Sequence, residues 1–285
     1  MARGAGGYAN ARKTLRGDVS FEGCGIHSGA RASVRLSPLR DGRGIWFSLA
    51  SRLYRREEAR TADTDRCTAV RFPGGEKLRT VEHLMSAIAG VGLDDVVIEA
   101  DGEEIPILDG SALPFAEAIV DRGFEESEGE VRLPGLASPV CVDAGRASIA
   151  AFPSEEPRIT YVIDYPDACV GVEMKDVEIT PENYMREVAP ARTFVMRSEI
   201  ESLRASGLGL GGSERSVMII GGRSDRPPDY RVERECAAHK VSDLLGDLAV
   251  AGCFVSAHYV CICGGHWLHS RLADRIGSMI AIRNR

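Results

Sequence analysis

The sequence predicts an α+β fold built as two similar domains. Two segments resemble each other: "EHLMSAIAGVGLDDVVIEADG", from Glu82 to Gly102, and "AHKVSDLLGDLAVAGCFVSAHY", from Ala238 to Tyr259. Each has a histidine near the start of an apolar helical stretch, then a glycine, then a β-rich run. The polar, Gly/Pro-punctuated stretch "EESEGEVRLPGLASP" separates them. We therefore predict an amino-terminal domain over residues 1–128 and a carboxy-terminal domain over 129–285, each offering a helix to a shared site.

Local patterns predict the strands of both halves. In the first half, "DVSFEGCGIHSGARASVRLSP" has the pattern of two strands joined by a glycine-rich turn. In the second half, "ASIAAF", "RITYVIDY" and "SVMII" are predicted strands. The apolar run "LAVAGCFVSAHYVCICGG" is interrupted by Gly252 and His258, so it predicts the end of a helix and then a buried strand. A membrane span needs about 20 apolar residues.

Two helices are predicted near the carboxy terminus, in addition to those of the repeat. "EIESLRASGLGLGG" has the pattern of a helix closed by glycines. Its "GLGLGG" satisfies G-x-G-x-x-G, but a dinucleotide fingerprint needs a strand before it and a helix after it. Here a helix precedes and a strand follows, so we predict a turn. "HWLHSRLADRIGSMIAI" predicts a last helix with one apolar face, made by Leu268, Leu272, Ile276 and Ile280.

Composition narrows the class of protein. The chain has 285 residues, 44% hydrophobic and 27% charged, with a formal net charge of −7, which disfavours non-specific nucleic-acid binding. Its eight cysteines form no C-x-x-C pair, which argues against a thiolate zinc ribbon. The amino terminus lacks the apolar core of a signal peptide. We expect a cytoplasmic protein with buried free thiols, no nucleic-acid partner and no stable membrane insertion.

One helical stripe carries candidate metal ligands. In "ECAAHKVSDLLGD", His239, Asp243 and Asp247 recur every four residues, so they lie on one helix face. His239 and Asp243 could bind one metal ion together, but catalytic zinc takes about three protein ligands. Taken alone, an H-x-x-x-D pattern is more often a solvated helix face.

The other half of the repeat supplies a candidate third ligand, His83. Glu82 immediately precedes it and points about 100° away around the helix, so it could act as a general base rather than as a ligand. The alternative is a surface glutamate at a helix start, favoured by the helix dipole. His266 follows two glycines and could be a general acid, or a capping residue. His269 is the rival candidate, and spacing alone does not separate the two.

Several long motifs resemble the zinc-dependent UDP-3-O-acyl-N-acetylglucosamine deacetylase family, LpxC. These motifs are "GCGIHSG", "RTVEHLMSAIAGVGLDDVVIEADGEEIPILDGSALPF", "ARTF", "SGLGLGG", "AHKVSDLLGDL" and "GGHWL". They occur in family order from Thr14 to the last helix. The resemblance implies two α+β domains whose paired helices are sandwiched between their sheets, a fold like domain 2 of ribosomal protein S5. It also implies a monomer.

The resemblance implies roles residue by residue. The zinc ligands would be His83, His239 and Asp243, with Glu82 as the general base. His266 would be the general acid, and Asp247 the carboxylate that steadies its imidazolium form. Thr193 and Lys240 would stabilise the oxyanion and bind substrate. Further substrate contacts are implied at Asp164, Tyr165, Phe194, Met196, Ile200, Leu203 and Gly211.

The implied activity is removal of the N-acetyl group from UDP-3-O-acyl-N-acetylglucosamine, the committed step of lipid A biosynthesis. Two neutral histidines and one aspartate would leave Zn²⁺ with a net charge of about +1, which suits activating water. The segment after "ARTF" would hold the acyl chain. There Val195, Met196, Ile200 and Leu203 could form one apolar helical stripe, although such a stripe is usually core.

Three positions depart from the family pattern. Ala238 replaces a basic residue, Ser242 an apolar one, and His269 an asparagine, which affects how the substrate packs. Two alternatives stay open. One is a catalytically idle member that binds nucleotide sugars or acyl chains. The other is a zinc amidase with a different substrate on the same fold.

Overall fold

The computed structural model describes residues 10–283, which form a mixed α+β structure. Within these described residues, the first half contains ten strands and two α-helices. The strands are β1 (Asn10–Leu15), β2 (Val19–Cys24), β3 (Arg31–Pro38), β4 (Ile45–Leu49), β5 (Arg52–Arg55), β6 (Arg60–Asp63), β7 (Ala69–Arg71), β8 (Lys77–Leu78), β9 (Val96–Asp101) and β10 (Phe124–Val131). The helices are α1 (Glu82–Gly90) and α2 (Leu113–Arg122).

The second half, as far as the structure describes it, contains seven strands and four α-helices. The strands are β11 (Val140–Ala144), β12 (Ala147–Pro153), β13 (Arg158–Tyr165), β14 (Gly171–Glu178), β15 (Phe194–Met196), β16 (Met218–Ile220) and β17 (Ala257–Ile262). The helices are α3 (Pro181–Asn183), α4 (Ile200–Ala205), α5 (Glu235–Ala251) and α6 (His266–Arg283). The structure confirms the predicted strand pair β2–β3, the predicted strands β12, β13, β16 and β17, and the last helix α6. It also confirms the turn predicted at "GLGLGG", between α4 and β16.

The two halves contain sheets of the same topology. One sheet has the order β2-β3-β9-β4-β5, and the other has the order β11-β12-β17-β13-β14. In each, the central strand is the next strand after a helix: β9 follows α1, and β17 follows α5. β9 pairs antiparallel with β3 and parallel with β4, and β17 pairs antiparallel with β12 and parallel with β13. Alternate side chains of β3 are buried, so one face of this sheet is apolar and must be covered. The repeat seen in the sequence is therefore a repeated sheet-and-helix unit.

Helices cover the sheets and bring the two halves into contact. α5 packs on β13 and β14, α6 on β11 and β12, and α2 on β2, while α1 packs against both α2 and α5. Gly246 allows the closest approach of α1 and α5, because a Cβ there would lie 2.0 Å from the carbonyl oxygen of Glu82. The catalytic candidates on the two helices are thereby brought close together.

One sequence prediction is wrong. Residues 195–203 do not form one helical stripe, because Val195 and Met196 belong to β15, which pairs in parallel with β16. A 3-10 turn (Arg197–Glu199) then leads into α4. Pairing with a strand distant in sequence overrides the local apolar spacing.

The division after residue 128 falls inside β10, which pairs antiparallel with β1. The two-domain division therefore stays a prediction. Among the described residues, no helix is both long enough and apolar enough to span a membrane. All eight cysteines are free thiols, four of them buried: Cys67, Cys236, Cys253 and Cys261.

Candidate active site

α1 and α5 bring together the three predicted metal ligands. The ligand atoms of His83, His239 and Asp243 all lie within 4.8 Å of one another, and all three side chains are buried. Asp243 Oδ1 lies 3.3 Å from His239 Nε2 and 3.7 Å from His83 Nε2. The i,i+4 spacing places the first pair on one face of α5, and the crossing of α1 supplies the third member.

The surroundings of the two imidazoles favour the neutral form that a divalent cation requires. Burial lowers the pKa of both imidazoles, that of His83 to about 3, so both are neutral. His239 Nδ1 lies 3.1 Å from the carbonyl oxygen of Ala191 and donates to it, which leaves Nε2 free as a ligand. Asp243 Oδ1 is buried and, among the described residues, accepts no hydrogen bond. A cation would satisfy this acceptor.

Glu82 lies beside these ligands and lines the cavity in front of them. Its Oε2 accepts a hydrogen bond of 3.0 Å from the backbone N–H of Thr68. Burial raises its pKa to about 8, against the opposing charge of His266. A carboxylate with a raised pKa near neutral pH is suited to taking and releasing a proton.

Asp247 holds two histidines at once. Its Oδ2 lies 2.8 Å from His266 Nδ1 and 2.7 Å from His269 Nδ1, while its Oδ1 accepts a 2.6 Å hydrogen bond from Thr68 Oγ1. The second ring nitrogen of His269, Nε2, lies 3.0 Å from the hydroxyl of Tyr161. The carboxylate is therefore bound on both oxygens.

His266 and His269, which sequence spacing could not separate, differ in their access to the cavity. His266 lines the cavity, and its Nε2 lies 3.8 Å from Asp243 Oδ2. His269 is fully buried behind Asp247. Burial opposes the charged form of both, but the carboxylates of Asp247 and Asp243 outweigh it at His266 and raise its pKa to about 9. The pKa of His269 is lowered, so it stays neutral. Of these two histidines, His266 is therefore the one that is both protonated and open to the cavity.

Thr68 is a site residue that sequence reasoning missed. Its backbone N–H binds Glu82 and its hydroxyl binds Asp247, so it connects the candidate base with the carboxylate behind the candidate acid. Asp247 is 179 residues away in the chain. No local pattern around "CTAV" signals this contact, because it exists only once the two halves have packed together.

A cavity of about 660 Å³ opens in front of these groups. Five predicted substrate contacts line it: Tyr165, Phe194, Met196, Ile200 and Leu203. Asp164 does not. It lies on β13, 2.9 Å from the guanidinium of Arg146. Gly211 is also absent from the lining, and its backbone N–H donates to the carbonyl of Ile26. A Cβ at Gly211 would lie 2.2 Å from the carbonyl oxygen of Gly25, so this position requires glycine for packing.

Thr193 and Lys240 also line the cavity. Lys240 Nζ donates a 2.8 Å hydrogen bond to Asp243 Oδ2 and lies 5.6 Å from the centre of the Phe194 ring. Burial disfavours its charge, but Asp243 outweighs this and raises the pKa of Lys240. The backbone of Thr193 is held by Gly110 and Met218, at 2.7 and 2.9 Å, so its side chain is carried on a fixed segment directly before β15.

Comparison with known proteins agrees with this geometry. A family model for LpxC, described as UDP-3-O-acyl N-acetylglycosamine deacetylase, matches residues 12–278. The chain belongs to the LpxC family. The matched range includes every candidate catalytic and metal-binding residue, from Glu82 to His266. The family resemblance predicted from the motifs is confirmed.

Three relatives of the LpxC family are named UDP-3-O-acyl-N-acetylglucosamine deacetylase. The Nostoc sp. protein is 36% identical over 273 residues, covering 92% of this chain and 97% of the relative. The Thermosynechococcus vestitus protein is 35% identical over 271 residues, 94% of each chain. The Syntrophotalea carbinolica protein is 32% identical over 270 residues, 93% of this chain and 87% of the relative. The likeness therefore extends over nearly the whole length of both chains.

Proposed function

We propose that this chain is a zinc-dependent deacetylase that hydrolyses the N-acetyl group of UDP-3-O-acyl-N-acetylglucosamine in lipid A synthesis, releasing acetate. The observation that carries the proposal is one arrangement of buried groups. His83, His239 and Asp243 form a cation-competent cluster, with the carboxylate of Glu82 beside it and the Asp247-backed His266 at the same cavity. Relatives named for this activity, similar over nearly their whole length, support the substrate.

The three ligands fit Zn²⁺ by type and by charge. Two neutral imidazoles and one carboxylate are a usual catalytic zinc set, and the unpartnered Asp243 Oδ1 faces both imidazoles. When bound, Zn²⁺ would supply Lewis acidity toward the acetamide carbonyl and lower the pKa of water. The backbone carbonyl of Ala191 would hold the His239 ring in the correct tautomer.

The remaining groups would divide the proton transfers. Glu82, held by the Thr68 N–H, takes the proton from the attacking water. His266 Nε2 faces the cavity and donates a proton to the leaving amine, while Asp247 holds its Nδ1. The ammonium of Lys240 and the side chain of Thr193 stabilise the negative charge that develops on the carbonyl oxygen. Because the groups are buried and hydrogen-bonded, little reorganisation is needed during the reaction.

Replacing Asp247 with asparagine should shift the basic limb of the pH–rate profile to lower pH. His266 is protonated below its raised pKa of about 9, and activity that needs this proton is lost as pH rises through that value. Removing the Asp247 charge lowers the pKa of His266, so activity is lost at a lower pH. Asp176→Asn, at an exposed ion pair with Arg158, is the matched control. An unchanged basic limb in Asp247→Asn would refute the pairing.

The acyl chain should supply much of the binding free energy. Ile200, Leu203 and Met196 line the cavity next to the catalytic groups, together with Val217 and Ile219. Each buried methylene contributes about 0.8 kcal/mol, roughly a fourfold change in affinity. Replacing a long 3-O-acyl chain with acetyl should therefore lower kcat/KM by orders of magnitude.

This preference can be assigned to the cavity with paired variants. Ile200→Ala should reduce the ratio of kcat/KM values for the long-acyl and acetyl substrates. Leu53→Ala, which removes an exposed leucine outside the cavity, should leave the ratio unchanged. Equal kcat/KM for both substrates in the unmodified protein would indicate a general amino-sugar deacetylase whose 195–210 segment is only core.

The architecture and setting belong to the same proposal. We infer two α+β domains whose helices lie between their sheets, because the two sheets share one strand order and α1 packs on α5. The chain would act in the cytoplasm, in keeping with its uncrosslinked cysteines, and as a monomer, as the family resemblance implies.

A further inference from the structure

Three hydroxyl groups meet between α1, α5 and the helical turn Tyr184–Val188, which follows α3. Ser86 Oγ on α1 lies 2.9 Å from Ser242 Oγ on α5 and 3.0 Å from the hydroxyl of Tyr184. All three side chains are buried, with at most 1% of each exposed. We name these residues the hydroxyl triad. Hydrogen bonds between buried hydroxyls are directional, whereas the apolar contacts around them are not.

The hydroxyl triad lies one helical turn from the metal ligands. Ser86 follows His83 by three residues on α1, and Ser242 follows His239 by three residues on α5. Side chains at this spacing share a helix face. The Ser86–Ser242 contact therefore joins the two helices on the faces that carry the ligands, and Ser242 directly precedes Asp243.

The third member of the triad also acts on a ligand. Tyr184 is the first residue of the helical turn Tyr184–Val188. Two backbone hydrogen bonds connect this turn to Ala191: Ala189 N–H donates to Tyr184 O, at 2.8 Å, and Ala191 N–H donates to Val188 O, at 3.0 Å. The carbonyl of Ala191 then accepts the hydrogen bond from His239 Nδ1. The Tyr184 ring lies against Gly90, where an added Cβ would come within 2.4 Å of it. Tyr184 thus anchors the turn that fixes the His239 ring.

We propose that Ser86, Tyr184 and Ser242 are positioning residues that set the spacing of His83, His239 and Asp243 and thereby the affinity for the metal. This inference rests on the metal site of the proposed function. The mechanism is geometric. If α1 slides or rotates against α5, the three hydroxyls lose these partners inside a dry interior, which favours the observed register. That register is the one that brings the ligand atoms together.

Tyr184→Phe tests the proposal, with Tyr259→Phe as a matched control. Both tyrosines are fully buried, and among the described residues the Tyr259 hydroxyl binds the backbone N–H and carbonyl of Val255, both at 2.9 Å, and does not contact the triad or the ligands. The Kd of each folded apoprotein for Zn²⁺ is measured by competition with a chelator. The absorption spectrum of the Co²⁺-loaded protein reports ligand geometry. Loss of groups that orient ligands typically weakens metal binding about 10–100-fold. The Tyr184 hydroxyl contacts Ser86 and not a ligand directly, so we expect the lower end of this range, about tenfold, for Tyr184→Phe, with an altered Co²⁺ spectrum, and no change for Tyr259→Phe.

A triple variant separates positioning from stability. Ser86→Ala, Ser242→Ala and Tyr184→Phe together remove the triad without leaving a buried hydroxyl unpartnered, which is nearly neutral for folding. The proposal predicts weaker Zn²⁺ binding at nearly unchanged unfolding temperature. Ser242→Ala alone serves if a larger change fails to fold. Unchanged Zn²⁺ affinity in the folded variants would overturn the proposal and leave the triad a helix contact only. Failure of the unmodified protein to bind Zn²⁺ would instead overturn the proposed function.

Discussion

Glu82→Gln should retain its metal but lose about 10²–10⁴-fold in kcat, the usual contribution of a general base. Glutamine has the same shape and can still accept the hydrogen bond from the Thr68 N–H, so the local structure is preserved. It cannot take a proton from water. Among the described residues that line the cavity, Glu82 and Asp243 are the buried carboxylates, and Asp243 belongs to the ligand cluster. Glu199 and Glu214 also line the cavity but are less buried, so we expect neither to replace Glu82 as the base. The measurement is kcat at matched metal content.

Glu99→Gln is the control for this substitution. Glu99 is exposed on β9 and paired with Arg35, so its replacement removes the same charge without touching the cavity. We expect wild-type kcat for it. If Glu82→Gln also kept its kcat at full metal loading, another group, such as His266, would have to be the proton acceptor.

His239→Ala should lose both metal and activity. The imidazole is one of three side chains in the cluster, and its removal leaves two, one fewer than the about three protein ligands typical of catalytic zinc. It also leaves the Ala191 carbonyl without its donor. After dialysis against a weak chelator, metal analysis should find about one zinc per unmodified chain and much less in the variant.

His258→Ala controls for the loss of an imidazole as such. His258 lies on β17, 2.8 Å from Thr160 Oγ1, and does not line the cavity. Its variant should keep full metal content. A His239→Ala protein that retained wild-type zinc would remove His239 from the ligand set, whatever its activity.

Local periodicity in the sequence predicted which candidate site residues share a helix face. The four-residue spacing of His239, Asp243 and Asp247 defines a helix face, and that face is present on α5. The repeat pointed to a second helix carrying His83. Local spacing states which residues share a face but not which element that face meets, so the α1–α5 crossing became visible only in the structure.

The features that the sequence-based predictions got wrong or missed all depend on contacts between residues distant in the chain. Residues 195–203 have helical apolar spacing, yet pairing with β16 makes the first part a strand. Thr68 and Tyr184 lie in segments without a motif and act through contacts with residues far along the chain. His266 and His269 are indistinguishable by spacing. They separate once the cavity is seen, because one lines it and the other is buried behind Asp247.

The central claim is that the buried cluster and its cavity perform a metal-dependent deacetylation. Its most direct test is acetate release from UDP-3-O-acyl-N-acetylglucosamine by the purified protein, measured before chelation, after chelation and after Zn²⁺ is returned. We predict release of one acetate per amino sugar formed, loss of release with the chelator, and recovery with about one equivalent of Zn²⁺ per chain. Acetate release that persists in the fully metal-depleted protein, or no release from the zinc-loaded protein, would contradict the account.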